Sequence, residues 1–80
     1  MTELRLFAQA REAAGCARDT FTAPTLGELL EQATARYGSA FADVLVTARV
    51  WVNGDDPLAG DETLLDANDE VAILPPVSGG

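Results

Sequence analysis

The chain has 80 residues, enough for one small domain that buries only about 60% of its unfolded surface. Hydrophobic residues make up 48% of it, which argues for a packed fold and against disorder. There are 13 acids and 5 bases, all arginine and scattered, for a net charge of −8, so the chain lacks the basic stripe that nucleic acid or an anionic membrane needs.

The first segment, "ELRLFAQ", alternates Leu4 and Leu6 with polar Glu3 and Arg5, the period of a half-buried strand. "AQAREAAG" is alanine-rich and closed by Gly15, which predicts a single helical turn with a glycine C-cap. "RDTFTA" has period-2 character around Phe21 and is expected to pair with the first strand. In "TLGE", Thr25 to Glu28, a capping box opens a helix: the Thr25 hydroxyl accepts from the Glu28 amide while the Glu28 side chain reaches back. Leu26, Leu29, Leu30, Ala33 and Tyr37 then recur at helical spacing until Gly38, with Glu28, Glu31 and Gln32 on the opposite face. A second, short helical turn is expected in "SAFADVL", with Ser39 as its N-cap.

"ARVWVNGDD" reads as a strand with Ala48, Val50 and Val52 on one face and Arg49 and Trp51 on the other, followed by a tight Asn53-Gly54 turn. "PLAGDETLLDANDE" is irregular and acidic, and Asn68 is expected to take a left-handed turn conformation. "EVAILPP" is a short apolar strand that Pro75 and Pro76 must end, since neither offers a ladder N–H. One helix across one mixed sheet makes an α+β two-layer domain spanning 1–76. Pairing the first and last strands in parallel at its centre leaves residues 77–80 as a projecting tail.

Few residues suit catalysis. There is no histidine, and the single Cys16 forms no internal disulfide or metal site; beside Gly15 it reads as a small apolar filler. Asp55, Asp56, Asp61, Glu62, Asp66, Asp69 and Glu70 lack the spacing of a calcium loop and read as solvated acids. No apolar run approaches a membrane span and the first residues have no basic n-region, so a cytoplasmic protein is expected. On the sheet, Trp51, Ala72 and Leu74 fall opposite to Val50, Val52, Val71 and Ile73. Trp51 and Leu74 then lie on an exposed interface, and Phe7, at the end of the first strand, belongs either to that patch or to the core.

The "VNG" strand-turn, the "NDEVAILPP" strand and the ending "VSGG" resemble the MoaD/ThiS family of ubiquitin-like sulfur carriers, as do "RLFAQAREAAG" and "TLGELL". Within it, "PPVSGG" is most similar to the small subunits of molybdopterin synthase. Asn68 stands where the family commonly has glycine, and Leu74 where an aromatic is common. The resemblance implies a β-grasp fold and a carrier with no complete active site and no bound cofactor of its own.

It also implies that the Gly80 carboxylate is adenylated by a MoeB-like activating enzyme, which uses the ATP, and is then converted to a thiocarboxylate. The tail, Pro75, Pro76, Val77, Ser78, Gly79 and Gly80, enters a MoaE-like large subunit and gives its sulfur to a cyclic pyranopterin precursor. Phe7, Trp51 and Leu74 are the partner-facing residues on this reading. A carrier for thiamine thiazole or cysteine synthesis would share the tail, as would a ubiquitin-like protein modifier. A plain interaction domain would leave the Gly-Gly ending unexplained.

Overall fold

A computed structural model of the chain describes residues 1–76. Strand β1 (Thr2–Leu6) buries Thr2, Leu4 and Leu6 and turns Glu3 and Arg5 outward, as its alternation requires. Helix α1 (Ala8–Ala14) follows at once through Ala8, whose φ of 50° swings the chain out of the sheet. A positive φ in alanine costs on the order of 1 kcal/mol. The helix runs for seven residues rather than the expected single turn, because Gly15, at φ 79°, closes it only after its N–H reaches the Arg11 carbonyl at 2.9 Å.

Strand β2 (Arg18–Phe21) returns antiparallel to β1, with Phe21 opposite Thr2. Helix α2 (Leu26–Tyr37) buries Leu26, Leu29 and Ala33 and half-buries Leu30 and Tyr37, the stripe its sequence carries. Thr25 Oγ1 accepts from the Glu28 N–H at 3.3 Å, but among the described residues the Glu28 carboxylate makes no return bond. The segment before the helix is held from elsewhere. Leu26 N–H donates to the Thr63 carbonyl at 2.9 Å, and Leu65 N–H to that of Pro24 at 3.0 Å. Gly27 belongs to the same junction: a Cβ there would meet Asp61 Cβ at 3.0 Å and its carbonyl oxygen at 3.2 Å, so any other residue would push the 3-10 turn (Gly60–Glu62) back by a few tenths of an ångström.

Helix α3 (Ser39–Thr47) is longer than the predicted turn, and Gly38, at φ 98°, caps it in place of Ser39, which is already helical. Ala48 closes this helix in extended conformation, and strand β3 (Arg49–Val52) begins one residue later than the sequence suggested. Asn53 and Gly54, at φ 53° and 85°, make the tight turn. Asn53, not Asn68, is therefore the asparagine with a left-handed backbone among the described residues. Its side chain explains the choice: Nδ2 donates to Asp69 Oδ1 at 2.9 Å while Oδ1 accepts from the Glu70 N–H at 2.9 Å, clipping the turn to the start of strand β4 (Glu70–Leu74).

The sheet order is β2-β1-β4-β3, with the central β1–β4 pair parallel and both outer pairs antiparallel. One face is covered by the helices over a core of Leu4, Leu6, Phe21, Leu29, Phe41, Val71 and Ile73, while Val50 and Val52 are half-buried at its edge. This is the β-grasp arrangement that the resemblance implies.

Candidate interaction surface

The other sheet face carries no helix, and register arranges its side chains in rows across the strands. In the middle row Arg18, Arg5, Ala72 and Trp51 are successive partners from β2 to β3. One row toward the carboxyl ends of β1 and β4, Leu74 is opposite Arg49. Phe7 continues this row. It is extended at φ −124° and ψ 152°, follows the parity of Glu3 and Arg5, and donates its N–H to the Ile73 carbonyl at 3.1 Å, which sets it beside Leu74. In the third row Thr20, Glu3 and Glu70 are successive partners.

The face is divided by chemistry. Phe7, 41% exposed, and Trp51, 36% exposed, flank Leu74 and Ala72, which are half-buried. Phe7 thus belongs to the exposed patch rather than to the core. Pro75 and Pro76 leave from Leu74 and are exposed. Predicted site residues Phe7, Trp51, Leu74, Pro75 and Pro76 therefore gather at one end of the sheet; Val77, Ser78, Gly79 and Gly80 lie outside the described residues.

The β1–β2 half is charged. Glu3 and Glu70 are neighbours across the parallel pair and would repel, but Arg5 Nε reaches both, at 2.9 and 3.3 Å, and Arg18 Nε reaches Glu3 at 3.3 Å. The hydrogen bond from Arg5 is the main reason that Glu3 titrates below the usual carboxylate range, and the same bond raises Arg5. Beside Phe7 a shallow hollow of about 230 Å³ is lined by Arg5, Leu6, Phe7, Arg11, Ala17 and Arg18. Three of the chain's five arginines thus gather next to the apolar patch. Sequence reasoning missed them as a group, although strand parity already set Arg5 and Trp51 on the same face.

A second polar cluster lies away from this face. Tyr37 Oη donates to Asp19 Oδ2 at 2.6 Å, Arg36 pairs with the same oxygen at 3.0 Å, and the Cys16 thiol donates to Tyr37 Oη at 3.6 Å. Arg36 also lies over the Phe21 ring, 4.2 Å from its centroid. Burial, with the Asp19 bond second, pushes the Tyr37 phenol well above its ordinary value, while that bond lowers Asp19. Cys16 is thus half-buried and hydrogen-bonded, more than a filler.

Among the described residues no group of three histidine, cysteine or carboxylate side chains could hold a metal, and no helix is long and apolar enough to cross a membrane. What the face can do is dock: it presents apolar area beside arginines at the point where the last six residues depart.

The sequence model of the ThiS family matches residues 4–80. No curated protein matches the chain. Among solved structures, the small archaeal modifier protein 1 of Methanosarcina acetivorans is similar at 33% identity and a TM-score of 0.87, over 99% of this chain and 95% of that one. A chain in the complex of subunits 1 and 2 of the molybdopterin-converting factor of Helicobacter pylori is similar at 26% identity and a TM-score of 0.69, over 99% of this chain and 97% of that one. The Amycolatopsis orientalis BexX/CysO complex contains a chain of the same fold, at 21% identity and a TM-score of 0.82, over 100% of both chains.

Proposed function

This chain belongs to the ThiS family, the MoaD/ThiS group of ubiquitin-like sulfur carriers, and on that premise we propose that it is the sulfur-carrier small subunit of molybdopterin synthase. The observation that carries the reading is the convergence of Phe7, Trp51 and Leu74 on an uncovered sheet face, at the strand end that leads into the tail. The family match running through residue 80 and the "PPVSGG" ending support the carrier role, and the likeness to a chain of the molybdopterin-converting factor supports the pathway.

The chemistry starts from a carboxylate. With a pKa of about 3.3–3.7 a terminal carboxyl is ionised at neutral pH and resists nucleophiles. In the activating enzyme a Gly80 carboxylate oxygen attacks the α-phosphate of ATP and pyrophosphate leaves. Hydrosulfide from the sulfur donor then attacks the acyl carbon of the mixed anhydride, AMP departs with the bonding pair, and the proton passes to water. The resulting thiocarboxylate enters the large subunit and delivers sulfur to the pyranopterin precursor. Gly79 and Gly80 keep the thread narrow for close backbone approach. Pro75 and Pro76 limit the entropy lost on insertion, and Ser78 bonds to partner backbone. The chain holds no cofactor, works with a MoaE-like subunit and a MoeB-like enzyme, and acts in the cytoplasm.

Likeness to the archaeal modifier favours a second reading, in which the same adenylate is captured by a lysine of a target protein. Carriers for thiazole or cysteine synthesis share the tail chemistry. Reconstitution of the synthase separates them. Deleting Gly80, or adding one residue after it, should abolish molybdopterin formation and leave the melting temperature unchanged. One extended residue shifts the reacting carbon by about 3.3–3.6 Å, against a tolerance of about 1 Å. Comparable product from either variant would refute the reading.

A further inference from the structure

We infer that the chain is built without a side-chain amine that its own activated terminus could acylate, so that it resists amide conjugation to itself. The inference rests on the proposed activation of Gly80, and its observations are independent of pathway. The 80 residues contain no lysine and no histidine, and every side-chain cation is arginine. A guanidinium stays protonated at any physiological pH and is no nucleophile.

The placement of those arginines matters. Arg49 is exposed, partnered in register with Leu74, and so stands at the base of the tail, and Arg5 is one row away, opposite Ala72. The sheet face therefore keeps positive charge for docking at the place where a lysine would be most exposed to acylation. Six residues follow Leu74, a reach of about 20 Å when extended. A lysine at position 49 would meet the activated carbon at an effective concentration on the order of millimolar. Its amine would attack the acyl carbon, a C–N bond would form, the C–O bond to phosphate would break with AMP leaving, and the proton would pass to water.

Two further nucleophiles are already engaged. The Cys16 thiol is half-buried and donates to Tyr37 Oη, and the Tyr37 hydroxyl is spent on Asp19. Residue 1 lies at the opposite end of β1 from the Phe7–Leu74 row, because β1 and β4 run parallel.

The test needs no activating enzyme. The full chain, released from an intein fusion as a C-terminal thioester, is held at mildly alkaline pH and followed by intact mass and peptide mapping. Wild type, Arg49→Lys and Arg36→Lys are compared, Arg36 being on α2 beside Asp19. Wild type should lose its thioester to hydrolysis alone. Arg49→Lys should form side-chain amide, as a ring or a linked dimer, at least about tenfold faster than Arg36→Lys. Side-chain-linked products from wild type, or no excess from Arg49→Lys, would overturn the inference. Because the thioester is made chemically, failure here is separate from failure of the proposed function, which the Gly80 variants test.

Discussion

Trp51→Glu tests the docking face. The indole is 36% exposed, which leaves about 90 Å² of a side chain of ~250 Å² available to a partner. Burying that area at about 25 cal/mol per Å² contributes about 2 kcal/mol, or roughly 40-fold in affinity. A carboxylate in its place adds a desolvation cost, partly offset by Arg49 and by Arg5 across Ala72. The expected loss is therefore about 40- to 100-fold in Kd for the large synthase subunit, measured by calorimetric titration. Two thirds of the indole is already covered within the chain, so stability should fall as well. At the same coefficient the ~160 Å² already covered contributes up to about 4 kcal/mol, part of which the glutamate stem keeps; a loss of about 2–3 kcal/mol lowers Tm by roughly 10–20 °C for a domain of this size. Trp51→Phe should lose much less of both. A Kd within about threefold of wild type, with the fold retained, would show that this face does not dock. Loss of folding would show that Trp51 is a core residue and that the assigned register is wrong.

Gly27→Ala should destabilise by about 1 kcal/mol in urea melts, even though alanine is the better helix former, because the new methyl meets Asp61 at 3.0 Å; a gain in stability would refute the close approach. Stability should also fall in acid. Asp19 is lowered first by Tyr37, and Asp69 first by Asn53, so both carboxyls bind protons less readily in the folded state. Their contribution is complete above the unfolded pKa of about 3.9 and is lost as the pH falls through the lower folded values. Asp69→Asn should flatten that acid limb of Tm against pH, and an unchanged limb would show that the Asn53–Asp69 clip is not maintained in solution.

Strand parity was legible in the sequence because one sheet face is covered and the other is not: Leu4 and Leu6 against Glu3 and Arg5, Val71 and Ile73 against Ala72 and Leu74. The same rule turned Trp51 outward. It could not decide Phe7, where β1 ends and Ala8 turns left-handed; the hydrogen bond to Ile73 decides that residue. Nor could residue type say which asparagine turns. Asn53 does so because Asp69 and Glu70, distant in sequence, accept and donate to its amide. Gly27 has the same origin, since the 60–65 segment packs where α2 begins. The arginine cluster around Phe7 likewise needs α1 and β2 brought to the end of β1.

The central claim is that sulfur is carried on the terminus. It is tested most directly by intact mass and fragmentation of the full chain after incubation with the activating enzyme, ATP and a sulfur donor. The account predicts replacement of one oxygen by sulfur, mapped to the Gly80 carboxyl and dependent on ATP. An unchanged mass, or sulfur found on Cys16 instead, would contradict it.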